Sequence, residues 1–232
     1  MDNDTKTKEE FISLMVHELR APLSIIHSSA DILIRHKAEL SETKKDQLLS
    51  EVKMAAEGML GIVNDLLDTS KISSGRFEIT KEANDIRQVI NSQVALFTDF
   101  AAGSGHTFKV KVSDRVPQMI MFDKERIAHV LGNLISNAIK FSQGGEIFVE
   151  VMPFDGYIKV SVQDHGVGIE EDRQIQLFHK FRQVSKPVDS SQKGTGLGLV
   201  VAKGIVDLHG GDIGVISQKD EGSTFWFTLP LH

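Results

Sequence analysis

The chain has 232 residues, of which 41% are hydrophobic and 25% are charged, a composition typical of a soluble protein of one or two domains. Its net charge of −6 predicts no binding to nucleic acid, and the lack of cysteine excludes disulfides and thiolate metal sites. No apolar run approaches the roughly 20 residues that span a bilayer, and the acidic start MDNDTKTKEE is not a signal peptide. We expect a cytoplasmic segment with no membrane contact of its own, either free or part of a longer, membrane-anchored protein.

The first 74 residues carry two helical series of apolar residues, separated by the polar stretch His36 to Lys45. Alternating steps of four and three residues give each series a heptad seam. The seams consist of Ile12, Val16, Leu19, Leu23, Ile26, Ala30 and Leu33, and of Leu49, Val52, Ala56, Met59, Val63 and Leu66. Ser41 is a suitable N-cap for the second helix.

Two long helices joined by a short link form an antiparallel α-helical hairpin. Because a hairpin alone leaves apolar surface exposed, we expect a homodimer in which two hairpins pair as a four-helix bundle. The alternative is that the seams pack only on the second half of the same chain.

The stretch SSGR, Ser73 to Arg76, breaks the helical period, and we place a domain boundary there, between residues 1–74 and 75–232. Helical patterns follow at Asp85 to Ala102, Lys124 to Phe141 and Leu197 to His209. Strand patterns follow at FEIT, HTFKVKV, MIMF, EIFVEVMPF, YIKVSVQD, DIGVISQ and STFWFTLP. This alternation predicts an α/β two-layer sandwich with a mostly antiparallel sheet.

One predicted helix presents three polar side chains that suit a phosphorylated ligand. Asn133, Asn137 and Lys140 in NLISNAIKFS are four and three residues apart, which puts them on one helical face. Amide oxygens can ligate Mg²⁺, and a lysine can contact a phosphate. A solvated polar face is the alternative for this segment taken alone.

Two glycine-rich segments follow. In DHGVGI, Asp164 to Ile169, the glycines allow close backbone approach and the aspartate can accept from an exocyclic amino group. In GTGLGL, Gly194 to Leu199, alternate glycines form a loop that ends at a helix N-terminus, which favours phosphate binding. Each segment alone is a weak signal, and a simple strand-to-helix turn is the alternative for the first.

Together, and in this order, these segments resemble the cytoplasmic core of a bacterial two-component sensor histidine kinase. Asn133 to Ser142 resembles the N box of that family, Asp164 to Ile169 its first glycine box, and Gly194 to Leu199 its second. Phe178 to Phe181 resembles the F box, and we expect a lid-like loop in SKPVDSSQK, directly before the second glycine box. HELRAPL, His17 to Leu23, resembles the H box of the dimerisation and histidine-phosphotransfer domain.

The resemblance implies that residues 75–232 form the ATP-binding sandwich shared with gyrase, mismatch-repair and heat-shock ATPases. By this resemblance Asp164 contacts the adenine amino group and Asn137 binds Mg²⁺. Asn133 and Lys140 face the phosphates. Gly166, Gly168, Gly194, Gly196 and Gly198 would shape the pocket and its lid, and Thr224 would lie near the adenine. The expected cofactors are therefore ATP and Mg²⁺.

The H box resemblance also identifies a phosphoacceptor. His17 and Glu18 begin the zinc-protease pattern H-E-x-x-H, but Ala21 stands where the second histidine would be, so that metal site cannot form. If Val16 lies in the seam, His17 points outward. A neutral imidazole is a competent nucleophile toward phosphorus, and Glu18 can accept the ring proton. Pro22 should bend the helix beside them.

Several residues depart from the family pattern or narrow the reaction. Val16 replaces the usual small residue before the histidine. Ala21 replaces the threonine or asparagine that is thought to orient water for regulator dephosphorylation, so we expect weak phosphatase activity. Asn133 stands where hydrolytic relatives carry a glutamate that acts as the general base for water. Asparagine cannot act as a base, which favours a kinase over an ATPase. His165 replaces a small polar residue, and no role is assigned to it.

The function implied is ATP-dependent autophosphorylation of His17, followed by transfer of the phosphoryl group to an aspartate of a response-regulator receiver domain. Alternatives are an ATPase of the same fold, a serine kinase of the anti-sigma type, and a non-catalytic nucleotide-binding scaffold.

Overall fold

The structure, a computed structural model, describes residues 2–36, 38–178 and 196–231. For residues 2–14 and for His17 it describes the backbone alone. The chain divides into two units, Met1–Ser70 and Lys71–His232, a few residues before the boundary expected from SSGR. No helix in the described part of the chain is long and apolar enough to cross a membrane.

The first unit is built from the two long helices that the heptad patterns predict, α1 (Asp2–Arg35) and α2 (Glu42–Ser73). The N-cap prediction for α2 is confirmed, because the Ser41 hydroxyl accepts a hydrogen bond from the backbone N–H of Lys44 at 3.3 Å. Between the helices, the hydroxyl of Ser29 donates to a carboxylate oxygen of Glu51 at 3.1 Å. The prediction of a helical hairpin is thereby confirmed.

The predicted seams are not the most buried stripes of these helices. Val16 and Leu49 are 49% and 56% exposed, whereas Met15 and Leu48, one residue earlier in each helix, are buried. One residue corresponds to about 100° around a helix, so the seams lie beside the face that a single chain buries. The exposed apolar side chains of the two helices include Val16, Leu23, Ile25, Ile32, Ile34, Leu49, Met54, Leu60, Val63 and Leu67.

The second unit is an α/β sandwich, as the alternating patterns predict. Its elements are β1 (Glu82–Asn84), α3 (Ile86–Gly103), β2 (His106–Val112), β3 (Ile120–Phe122), α4 (Lys124–Phe141), β4 (Gly145–Phe154), β5 (Tyr157–Asp164), α5 (Glu171–Gln174), α6 (Gly198–His209), β6 (Ile213–Gln218) and β7 (Gly222–Pro230). The main sheet has the strand order β2-β4-β5-β7-β6. Only the β2–β4 pair is parallel, so the expected mostly antiparallel sheet is confirmed.

The expected strand at FEIT, residues 77–80, was wrong. The strand of this region is β1, which begins at Glu82 and pairs with β3. The apolar residue Phe77 is buried in the core, where the Arg126 guanidinium lies 4.5 Å from its ring centroid. The N–H of Thr80 donates to a carboxylate oxygen of Asp123 at 2.8 Å instead of to a neighbouring strand. These side-chain contacts account for the apolar pattern of FEIT although the segment does not pair with a neighbouring strand.

The core lies between the main sheet and α3, α4 and α6. Alternate residues of β4, β5 and β7 face these helices, which places one side of each strand in the core and leaves the other side open. The largest fully buried side chains are Phe122, Phe227, Ile86, Ile90, Ile127, Leu131, Leu134, Ile135, Ile147, Ile158, Leu197 and Ile205.

A buried histidine joins α6 to the start of α4. The backbone N–H of Asp123 donates to Nε2 of His209 at 3.0 Å, so Nδ1 must carry the ring proton and donate to the Ile205 carbonyl at 2.8 Å. Burial lowers the pKa of His209 below its ordinary value, because a protonated Nε2 would lose its hydrogen bond in a poorly solvated place.

The free energy of unfolding of the second unit should therefore fall as the pH drops below about 6.5, the unfolded pKa of histidine. The unfolded chain takes up the proton before the folded one, so the contribution of neutral His209 is complete above that pH and is lost below it. Urea unfolding at pH 7.5 and 5.5, followed by the fluorescence of Trp226, the single tryptophan, measures this loss. His209→Gln should make the loss smaller, whereas His165→Gln at an exposed position should not. Equal pH dependence in all three proteins would contradict the assignment.

Candidate functional site

The polar face predicted for α4 is present, and it borders the core of the second unit. The helix begins at Asp123, whose carboxylate accepts from the Arg126 N–H at 3.1 Å. Asn133, Asn137 and Lys140 are each partly buried, while Leu134 and Ala138 beside them are buried. One helix therefore anchors the core and holds the three side chains in fixed positions.

The two asparagines of this face differ in their contacts. The amide of Asn133 donates to the backbone carbonyl of Gly198 at 3.0 Å, which joins α4 to the first residue of α6. The side chain of Asn137 makes no hydrogen bond to any other residue that the structure describes. Its amide is therefore the one on this face that is available to a ligand.

Asp164, at the end of β5, is the buried acceptor of the site. Only 4% of the residue is exposed, and its Oδ1 accepts hydrogen bonds from the N–H groups of Gly166 at 2.8 Å and Ser223 at 3.2 Å. Burial raises the pKa of Asp164, and the two hydrogen bonds act against this rise by stabilising the carboxylate. Among the described residues Oδ2 accepts no hydrogen bond, so it can serve a donor of a ligand.

The first glycine segment is pressed between two parts of the backbone. A Cβ added to Gly166 would lie 2.2 Å from the Phe141 carbonyl oxygen at the end of α4. A Cβ added to Gly168, which has a φ of +63°, would lie 1.9 Å from the Gln218 carbonyl oxygen. Only glycine fits at either position, and the loop is thereby brought against both α4 and the turn after β6.

The second glycine segment is described in part. Gly194 and the lid-like loop before it lie outside the described residues, as does Phe181, whereas Phe178 packs against the core. Gly196 precedes α6, and Gly198 is its first residue. A Cβ added to Gly198 would lie 2.9 Å from the side-chain oxygen of Asn133, so the two predicted site residues are in close contact.

The residue of β7 beside Asp164 is Ser223 and not Thr224. Ser223 pairs with Asp164 across the β5–β7 ladder, and Thr224 pairs with Gln163. Because side chains alternate along a strand, Thr224 lies on the opposite face of the sheet from Asp164. The sequence analysis overlooked Ser223, although the inward positions of Phe225 and Phe227 in GSTFWFTLP imply that Ser223 also points inward.

In the first unit, the candidate phosphoacceptor lies within α1. The backbone of His17 is helical, and the expectation that its side chain points outward lies outside what the structure describes. Glu18 is buried, Ala21 is exposed, and α1 continues through Pro22 as a single helix. In the second unit, the exposed His165 contacts the Glu146 carbonyl through Nδ1 at 3.1 Å.

Two protein-family models match the chain. Residues 7–75 match the His Kinase A (phospho-acceptor) domain. Residues 122–232 match the histidine kinase-, DNA gyrase B- and HSP90-like ATPase domain. The matched ranges contain every candidate site residue named above.

Two similar proteins match nearly the whole of this chain. Signal transduction histidine-protein kinase BarA of Escherichia coli strain K12 is 34% identical over 231 residues, which cover 97% of this chain and 25% of BarA. The chain thus spans about a quarter of the length of that relative. The structure of full-length ShkA in complex with AMPPNP has a TM-score of 0.69 and 26% identity, covering 96% of this chain and 45% of ShkA.

A third similar protein is known in a complex. Histidine kinase ThkA in complex with the response regulator protein TrrA has a TM-score of 0.63 and 21% identity, covering 96% of this chain and 61% of the ThkA chain. At this identity the similarity bears on the fold alone.

The contact between Gly198 and Asn133 gives a direct test of the site. Gly198→Ala places a methyl group 2.9 Å from the Asn133 side-chain oxygen, so the asparagine must move away from its present position. We expect the Kd for ATP, measured by calorimetry, to rise roughly tenfold, which corresponds to about 1.4 kcal/mol. Gly103→Ala is the matched control, since a Cβ there meets nothing within 4 Å. Wild-type affinity in Gly198→Ala would show that the contact has no part in binding.

Proposed function

The chain belongs to the histidine kinases, and on that premise we propose that it transfers the terminal phosphoryl group of ATP to His17. The observation that supports this most strongly is the combination, in one chain, of a phospho-acceptor domain match around HELRAPL and a buried Asp164 whose carboxylate accepts hydrogen bonds from two backbone N–H groups. A phosphoacceptor and a nucleotide site are the two parts that such a reaction requires.

In this proposal the second unit binds ATP. The unoccupied Oδ2 of Asp164 accepts from the exocyclic amino group of the adenine, which selects adenine over guanine. Asn133 and Lys140 face the phosphates, and the glycines of both segments allow the backbone to approach them. Ser223 supports Asp164 through its N–H, whereas Thr224 has no evident path to the base from the other face of the sheet.

The residues present fit a magnesium ion that is bound together with ATP. No group of three or more histidine, aspartate or glutamate side chains that could hold a metal occurs among the described residues, so the chain offers no metal cage of its own there. Mg²⁺ commonly keeps several waters and is held by one or two protein oxygens plus substrate phosphates. The amide oxygen of Asn137 can be such a ligand. When bound, the ion would screen the charge of the phosphates.

The chemistry is a substitution at phosphorus. A ring nitrogen of His17 attacks the γ-phosphorus, a P–N bond forms, and the bond to the bridging oxygen of ADP breaks. Glu18 accepts the proton that the imidazole loses. Asn133 cannot act as a base for water, which favours transfer to the histidine over hydrolysis.

The products of this reaction imply a partner. Phosphohistidine is a reactive intermediate, so we propose transfer to an aspartate of a response-regulator receiver domain, in line with the complex of ThkA with a response regulator. We further propose that the chain is a homodimer through the first unit, since apolar residues such as Leu23, Leu49 and Leu60 remain more than half exposed in a single chain. A cytoplasmic location, within a longer protein like BarA, is part of the same proposal.

Labelling with γ-³²P-ATP tests the phosphoacceptor. The wild-type chain should incorporate label that is lost in acid and retained in alkali, and His17→Gln should incorporate none. His27→Gln, which removes an exposed histidine of the same helix, should incorporate as much label as the wild type. Label that persists in His17→Gln would exclude His17. Steady phosphate release without any phosphoprotein would instead support an ATPase.

The absence of a hydroxyl at position 21 predicts weak phosphatase activity toward a phosphorylated receiver domain. Ala21 is exposed on α1, so a larger side chain can be accommodated there. Ala21→Thr should raise the dephosphorylation rate roughly tenfold, the effect of lowering a barrier by about 1.4 kcal/mol, because its hydroxyl can orient water. Ala21→Val has the same shape without the hydroxyl and should not raise the rate. Equal rates in the two variants would contradict the prediction.

A further inference from the structure

A cluster of hydroxyl and amide groups lies next to Asp164, and of its members only Ser223 has a part in the function proposed above. At its centre is Ser217, near the end of β6. The Ser217 hydroxyl accepts from the N–H of Ile169 at 2.9 Å and lies 2.8 Å from the Gly222 carbonyl oxygen and 2.9 Å from the Ser223 hydroxyl. A hydroxyl has one proton and two lone pairs, so all three contacts are satisfied if Ser217 donates to Gly222 and Ser223 donates to Ser217.

The other side of the same loop is held by Gln174 of α5. Its side-chain amide nitrogen donates to the Ile169 carbonyl at 2.9 Å and to the Ser217 carbonyl at 2.8 Å. Both backbone polar groups of Ile169 are thus bound, one by each of these side chains. The Ile169 side chain itself is buried. The end of the first glycine segment is therefore fixed by polar contacts as well as by packing.

Neighbouring contacts attach the rest of this loop to the same turn between β6 and β7. The N–H of Asp220 donates to the Val167 carbonyl at 2.9 Å, and Gly168 lies directly against the Gln218 carbonyl. An exposed ion pair of 2.7 Å joins Lys219 to Glu170 and adds little, because water screens it. The position of the loop after Asp164 therefore depends on the position of this turn.

The cluster also reaches Asp164 itself. Ser223, which contacts the Ser217 hydroxyl, donates its N–H to Oδ1 of Asp164. Ser217 therefore touches both supports of the carboxylate: the β7 residue that binds Oδ1 from one side, and the glycine loop whose Gly166 N–H binds it from the other.

We propose that Ser217 is a positioning residue for nucleotide selection, a role that rests on the proposed binding of ATP in this unit. Ser217 does not contact the nucleotide. It holds the glycine loop and Ser223 together, and so directs Oδ2 of Asp164 toward the adenine amino group. Guanine presents an oxygen at the corresponding position, so a fixed carboxylate discriminates against guanine nucleotides and a displaced one discriminates less.

The test is calorimetric binding of AMPPNP and GMPPNP, with Mg²⁺, to the full chain and to Ser217→Ala and Ser217→Thr. Ser217→Ala should raise the Kd for AMPPNP roughly tenfold and change the Kd for GMPPNP little, so that the preference for adenine falls by about the same factor. Ser217→Thr keeps the hydroxyl and should keep the preference. In autophosphorylation, Ser217→Ala should raise KM for ATP while kcat at saturating ATP stays within about twofold.

Gln174→Ala provides a second route to the same result, since it frees the loop from the opposite side and should also lower the preference for adenine. If Ser217→Ala does not fold, the nucleotide preference of Gln174→Ala tests the proposal in its place. An unchanged ratio of the two Kd values, or an equal weakening of both nucleotides, would overturn the role of Ser217 and leave ATP binding intact. Failure of the wild-type chain to bind AMPPNP would overturn the proposed function itself.

Discussion

The buried carboxylate of Asp164 is the constraint on which the rest of the nucleotide unit depends. Burying a charge is unfavourable unless hydrogen bonds stabilise it, and here the N–H groups of Gly166 and Ser223 do so from two different elements. Both elements must approach closely. A Cβ at Gly166 would lie 2.9 Å from Oδ1, and one at Gly222 would lie 2.2 Å from the Asp164 carbonyl oxygen. The glycines are therefore required by the carboxylate before any ligand is considered.

The same reasoning extends to α4 and α6. The apolar side of α4 fills the core through residues such as Leu131 and Leu134, and this packing fixes the direction of its polar side. The side chain of Asn133 then donates to Gly198 at the start of α6, so the end of the second glycine segment is attached to α4. The side-chain amide of Asn137, one turn further along, has no hydrogen-bond partner among the described residues. A kinase needs such fixed donors and ligands, since phosphoryl transfer is mainly a matter of positioning and charge stabilisation.

The sequence predicted most of the second unit, because periodicity and local spacing determine its elements. α4 matches the predicted Lys124 to Phe141, β2 matches HTFKVKV, and the three polar residues of α4 share one face. The strand prediction at FEIT was wrong because Phe77 is apolar in order to pack in the core. Sequence periodicity cannot distinguish such a residue from part of a strand. The bond from Ile169 to Ser217 and the contact between Asn133 and Gly198 were beyond local reasoning, since the two residues of each pair are 48 and 65 positions apart in the chain. In the first unit, the seams were one residue from the buried stripes because a single chain buries only part of its apolar surface.

Asp164 is the proposed acceptor of the adenine amino group, and calorimetry with Asp164→Asn tests this role most directly. Asparagine has nearly the same shape, and its oxygen can still accept from Gly166 and Ser223. Its NH₂ group, however, would face the adenine amino group as a second donor. The account predicts that wild-type protein binds AMPPNP far more tightly than GMPPNP, and that Asp164→Asn weakens AMPPNP binding by roughly 10- to 100-fold, as expected for losing a hydrogen bond to a charged group. Wild-type affinity for AMPPNP in Asp164→Asn, with the same preference over GMPPNP, would contradict it.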